Sequence, residues 1–326
     1  MSRAALLFLR VNGYTVAAMN IKSLFKRLFT RHHVAAPIDE GHGQPVVLIH
    51  GMASSNRMWG HVLPTIKSNA RIVAVDLLGF GDSPKPKDSE YTVQDHAEAI
   101  IRTLHRKGIW HNAIIVAHSM GALIAVEIAK QKPHLVQELI LCGMPLYRFD
   151  SKKRLLPRQE SFYLSLYEKF LTVDGYALKT AERIKKMKPN MLGFGLNKQT
   201  EYAALKSLEN VIMNQTTYDD VQSLKQPVHL IIGRFDVLAI RRHLLSLAKA
   251  NSHITVQQLN EQHEVTERAS RYIAEVIDAA VEKRAINPDI LREMSRLPNI
   301  SIPKMGKFVV RLPKVGKNKH ILKDTE

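Results

Sequence analysis

A chain of 326 residues has room for one large domain or two modest ones, and a hydrophobic share of 45% supplies a core. No stretch approaches the roughly 18–20 uninterrupted apolar residues of a membrane span, which leaves a soluble or surface-bound protein. The formal charge of +17 points first to nucleic acid or an anionic surface, but residues 1–36 and 282–326 each hold a net +6, leaving +5 for residues 37–281.

The N-terminal apolar run Ala4 to Leu9 is short and closes at Arg10 without a clear small-residue cleavage site, so it reads as retained rather than as a secretory signal. Ile21, Leu24, Phe25, Leu28 and Phe29 then recur at helical spacing, with Lys22, Lys26, Arg27 and Arg31 on the other side. This spacing predicts a short basic amphipathic helix with two open readings: it lies in an anionic lipid interface, or it packs against its own domain. Met19 is an alternative start that places this helix at the N-terminus. His32, His33 and His42 have no companion cysteine or carboxylate at ligand spacing, and no metal is expected there.

From Gly41 strands and helices alternate, which predicts a parallel sheet with helices on its faces. Strands are expected at Pro45 to Ile49, Arg71 to Val75, Ala113 to Val116 and Glu138 to Cys142, with helices over Val93 to Lys107 and Gly121 to Gln131. The only cysteine, Cys142, lies in an apolar run and has no partner for an intrachain disulfide, as suits a buried thiol in a reducing, cytoplasmic compartment. Near Pro145 the alternation stops. Residues 148–222 read as an insertion of several helices rich in lysine and aromatics, among them Phe162, Tyr163, Tyr167 and Phe170. Within it, Arg183, Lys185, Lys186 and Lys188 form a basic cluster, either a solvated helix face or a site for an anionic headgroup. The alternation resumes with strands at Val228 to Ile232 and Ile254 to Leu259 and helices over Leu244 to Ala250 and Glu267 to Glu282. After Ala285 prolines and lysines follow with little periodicity. The chain therefore divides into a basic N-terminal segment (1–36), a core (37–147 and 223–284), the insertion (148–222) and a basic tail (285–326).

The sharpest chemical signal is Ala117-His118-Ser119-Met120-Gly121, between an apolar strand and a helix. So tight a turn crowds the backbone and demands small residues two positions either side of the serine, which Ala117 and Gly121 provide. The Ser119 hydroxyl then stands exposed, and the Met120 N–H points from the helix start toward an oxyanion. Ser119 as an ordinary helix N-cap is the plainer alternative.

Here the sequence resembles the nucleophile elbow of the α/β-hydrolase superfamily, with Ala117 in place of the usual first glycine. The resemblance covers about residues 41–147 and 226–282 and implies an α/β fold with a helical cap at 148–222. It also implies the order nucleophile, acid, histidine, each on a loop after a strand. Asp236 and His263 stand in those places and complete the implied triad with Ser119, with Asp150 as the second candidate acid. His50-Gly51-Met52 matches the oxyanion loop, which makes the Met52 N–H the partner of the Met120 N–H and gives His50 a structural role. Asp76 to Ser83 matches a further family loop, D-x-x-G-x-G-x-S, and is no dinucleotide site, because Pro84 occupies the position of the third glycine. His263-Glu264-Val265-Thr266-Glu267 lacks the second histidine of a zinc motif. No cofactor or metal is expected.

The implied chemistry is acyl transfer through Ser119, with a carboxylic ester of an apolar acyl or aromatic group as substrate. A ring-cleavage carbon–carbon bond hydrolase uses the same residues, and an idle binding module is the alternative of another class. The basic ends suggest an anionic membrane surface, whereas a basic tail without stacking aromatics argues little for nucleic acid.

Overall fold

The computed structural model describes residues 9–11, 14–16, 32–147 and 158–295. The expected basic helix around Ile21 to Phe29, Asp150 and the tail beyond residue 295 lie outside these residues. Two short strands, β1 (Leu9–Val11) and β2 (Tyr14–Val16), pair antiparallel. The main sheet has seven strands: β3 (Ile38–Glu40), β4 (Gln44–Ile49), β5 (Ala70–Val75), β6 (Ala113–His118), β7 (Val136–Cys142), β8 (Val228–Gly233) and β9 (Ile254–Leu259). Their order is β3-β5-β4-β6-β7-β8-β9, every neighbouring pair parallel except β3 with β5. The chain thus has the α/β-hydrolase fold that its motifs imply.

Continuous apolar runs make these strands, because a parallel sheet is covered on both faces. In β4, Val46, Val47, Leu48 and Ile49 are all fully buried. Alternate residues serve opposite layers. Val47 and Ile49 join a cluster with Ile100, Leu104 and Leu123, while Val46 and Leu48 join Trp59, Tyr272 and Ile277. The first layer contains α1 (Val93–Arg106) and α2 (Met120–Gln131), and the second α8 (Glu267–Glu282). Thr92 and Asp95 close a capping box at the start of α1, and Thr266 caps α8. Between β7 and β8 lie α3 (Arg158–Thr172), α4 (Tyr176–Met187), α5 (Glu201–Ser207), a π-helical turn (Leu208–Met213) and α6 (Thr217–Ser223), in the region expected to form a cap. α7 (Arg241–Ala250) links β8 to β9.

Two features depart from the expected boundaries. The core begins before residue 37: the Val34 N–H donates to Thr103 Oγ1 at 2.9 Å and the Ala35 N–H to Ser83 Oγ at 2.8 Å. After Ala285 the chain forms a further helix, α9 (Pro288–Ser295), which packs with α8 and buries Met294 completely. Pro288 opens this helix, in the first turn where amides have no intrahelical partner to lose, so the proline is a start rather than a break. Part of the expected basic tail therefore belongs to the domain, and Arg284 is spent on ion pairs with Glu275 and Glu282. Among the described residues no helix is long and apolar enough to cross a membrane.

Candidate active site

Parallel register brings the candidate residues to one edge of the sheet. Ile49 lies beside Ala117, His118 beside Cys142 and Gly233 beside Leu259, so the loops that follow β4, β6, β7, β8 and β9 all emerge together. Ser119 has φ 53° and ψ −124°, a strained conformation for any residue with a side chain, and its hydroxyl does not cap α2. The turn closes because α2 presses directly on the end of β4. A Cβ on Gly121 would stand 2.4 Å from the His50 carbonyl oxygen and 2.8 Å from that of Ile49, so only glycine fits.

The strained turn aims the Ser119 hydroxyl at His263 Nε2, 3.0 Å away, and His263 Nδ1 lies 2.8 Å from Asp236 Oδ2. A carboxylate only accepts, so Nδ1 carries the proton, and neutral Nε2 is left to accept from the serine. The Asp236 side chain is 1% exposed and that of His263 15%. Burial raises the Asp236 pKa, but the His263 hydrogen bond and charge and the amides of Leu238 and Ala239, 2.8 and 3.1 Å from Oδ1, bring it below the ordinary carboxylate value. Gly143, at φ 55°, fits under this pair: a Cβ there would lie 3.3 Å from both Asp236 Oδ2 and the His263 ring. Gly143 stands directly after β7, a place in the sequence that signals a turn at this sheet edge.

His118, beside Ser119 in the turn, anchors the loop that carries His263. Its Nε2–H donates to the His263 carbonyl at 2.8 Å, and burial lowers its pKa to about 3, so it stays neutral. His50 has the structural placement expected of it. Its Nδ1–H donates to the Gly51 carbonyl at 2.7 Å, Nε2 accepts the Leu77 N–H at 2.8 Å, and burial holds its pKa near about 4. Asp76 fastens the adjoining loop, accepting from Asn56 N–H and Asp82 N–H at 2.6 and 2.8 Å. Neither Met52 N–H nor Met120 N–H has a backbone acceptor among the described residues; Met120 opens α2, where amides lack intrahelical partners.

The insertion meets this edge at several places. The Gly195 N–H donates to the Ala53 carbonyl in the loop after β4 at 2.8 Å. Lys188, at the end of α4, pairs with Glu264 and reaches Gln262 Oε1 at 3.3 Å, on either side of His263. Of the basic cluster, Lys188 thus serves the site, while Arg183, Lys185 and Lys186 are exposed. Tyr167 of α3 bonds to Tyr147, whose N–H donates to Gln215 Oε1 at 3.1 Å. Buried Cys142 has its thiol pKa pushed up to about 12 and takes no part.

A family model described as the alpha/beta hydrolase fold matches residues 44–181. The chain is similar to the probable lysophospholipase BODYGUARD 1 of Arabidopsis thaliana, 39% identical over 35% of this chain, and spans about a quarter (26%) of that relative's length. It is 27% identical to a pimeloyl-(acyl-carrier protein) methyl ester esterase of Methylococcus capsulatus, over 73% of this chain and 96% of the relative. A 2-hydroxy-6-oxo-6-(2'-aminophenyl)hexa-2,4-dienoic acid hydrolase of Metapseudomonas resinovorans matches at 37% identity, over 32% of this chain and 37% of that protein. Among solved structures, an esterase from Exiguobacterium antarcticum superposes with a TM-score of 0.63 at 17% identity, covering 77% of this chain and 99% of that one.

Proposed function

We propose that this chain, which has the α/β-hydrolase fold, is a serine hydrolase that cleaves a carboxylic ester of an apolar acyl or aromatic substrate through an acyl-enzyme on Ser119. The observation that carries this reading is the His263 ring held between Ser119 Oγ at 3.0 Å and Asp236 Oδ2 at 2.8 Å. Ser119 Oγ attacks the ester carbonyl carbon as its proton passes to His263 Nε2. Asp236 stabilises the imidazolium, and the Met52 and Met120 amides receive the charge that gathers on the carbonyl oxygen. His263 then returns the proton to the departing alcohol. Water, deprotonated by the same nitrogen, attacks the acyl-enzyme and releases the acid and free Ser119.

An apolar substrate is supported by the exposed apolar side chains of Phe235 and Val237, which flank Asp236 in the sequence at 50% and 67% exposure. The similarity to a dienoic acid hydrolase favours a second chemistry, carbon–carbon bond cleavage by the same residues. A series of p-nitrophenyl esters of increasing chain length, assayed beside a ring-cleavage dienoate, separates the two. The proposal expects turnover of the esters, with a preferred chain length, and none of the dienoate; the reverse pattern would replace it with the second chemistry.

A peripheral attachment to an anionic membrane surface through the basic ends belongs to the same proposal. Removing residues 1–31 and 297–326, which spares the core contacts of Val34 and Ala35, should abolish sedimentation with anionic vesicles while leaving soluble ester hydrolysis intact. Equal sedimentation of both forms would remove the attachment from the account.

A further inference from the structure

The acid loop has a second hydrogen-bonded connection that acyl transfer does not use. Tyr147, in the segment leaving β7, is buried, with its hydroxyl 3.1 Å from the Leu238 carbonyl and 2.7 Å from the hydroxyl of Tyr167. Tyr167 sits on α3 in the insertion and is buried too. Proton count sets the direction of both bonds. A carbonyl only accepts, so the single Tyr147 proton goes to Leu238, and Tyr167 donates to the Tyr147 oxygen. Burial pushes the Tyr167 pKa up to about 12 and that of Tyr147 higher still, so both phenols keep their protons. On the other side of the same residue, the Leu238 N–H donates to Asp236 Oδ1 at 2.8 Å, and Asp236 Oδ2 meets His263. Tyr163 packs 5.9 Å from the Tyr147 ring and 6.2 Å from that of Tyr167 and helps exclude water from the line.

Resting on the assignment of Asp236 as the acid of the proposed hydrolase, we propose that Tyr147 and Tyr167 are its positioning residues. Through Leu238 they hold the acid loop where the carboxylate meets His263, and Tyr167 ties that placement to the seating of α3. The aromatic residues of the insertion thereby serve the triad as well as any pocket.

The test is a double-mutant cycle, reading kcat and KM separately on a small soluble ester, with thermal melts of every variant. Tyr147→Phe strands the Leu238 carbonyl and should lower kcat about tenfold with KM within about twofold. Tyr167→Phe leaves the Tyr147 bond to Leu238 in place and should lower kcat about threefold; if Tyr147→Phe fails to fold, this variant carries the test. In an Asp236→Asn background, either tyrosine change should add less than about twofold, because residues acting through one group are not additive. Additive losses, a change confined to KM, or unaltered kcat in a folded Tyr147→Phe would each overturn the inference. An inactive wild type or a fully active Asp236→Asn would instead overturn the hydrolase reading, so the two failures are distinguishable.

Discussion

The core and the insertion hold the same site by different means. On the core side, backbone packing does the placing: strand register aligns the loops, α2 presses on β4 with no room for a Cβ at Gly121, and buried neutral His50 and His118 tie loop to loop. On the insertion side the connections are mainly side chains, Tyr167 to Tyr147 and Lys188 to Glu264 and Gln262. Backbone packing tolerates almost no change, whereas side-chain links are exchangeable one by one. The first arrangement suits chemistry that must stay fixed, and the second suits a substrate pocket that varies.

The largest expected effects fall on the core side. Ser119→Ala and His263→Ala should each lower turnover on the order of 10⁵-fold, and the double variant should be scarcely worse, because the residues act as a unit. Multiplying losses would mean that the two side chains work separately despite their 3.0 Å contact.

Acid should weaken the core next. Burial lowers the pKa of His50 to about 4 and of His96 and His118 to about 3. Below about pH 6.5 the unfolded chain takes up protons that the folded one refuses, so stability falls with pH until these folded values are reached. Each residue adds a slope of about 1.4 kcal/mol per pH unit at most. Urea unfolding at pH 7, 6 and 5 should give a steadily lower midpoint; a constant midpoint would show that these histidines are not held neutral.

Single substitutions sharpen the contrast between the two sides. Gly121→Ala forces a methyl against the His50 and Ile49 carbonyls and should cost about 2–4 kcal/mol, together with most of the activity. Lys188→Ala breaks a partly exposed ion pair and should cost less than about 1 kcal/mol, with KM rather than kcat responding. Equal losses of stability in the two variants would erase the distinction between backbone and side-chain placement.

What could be seen in the sequence follows the same division. Ser119 is visible because the turn around it needs Ala117 and Gly121, and Asp236 and His263 because each follows an apolar run. The strands from β4 onward and helices α1, α2 and α8 appear with their ends shifted by a residue or two, since buried parallel strands leave unbroken apolar runs. β3 escapes notice because a three-residue edge strand with exposed Asp39 and Glu40 has no such run. The contacts of the insertion are not visible at all. Tyr147 and Tyr167 are twenty residues apart and Lys188 and Glu264 seventy-six, and no local pattern couples them before the chain has folded.

The central claim, a nucleophile at Ser119 activated by His263, is tested most directly by a fluorophosphonate probe read by intact mass and peptide mapping. A single adduct on Ser119 is expected in the folded wild type, none in Ser119→Ala and greatly slowed labelling in His263→Ala. Absence of any adduct on folded wild-type protein, or labelling that ignores the His263 substitution, would contradict it.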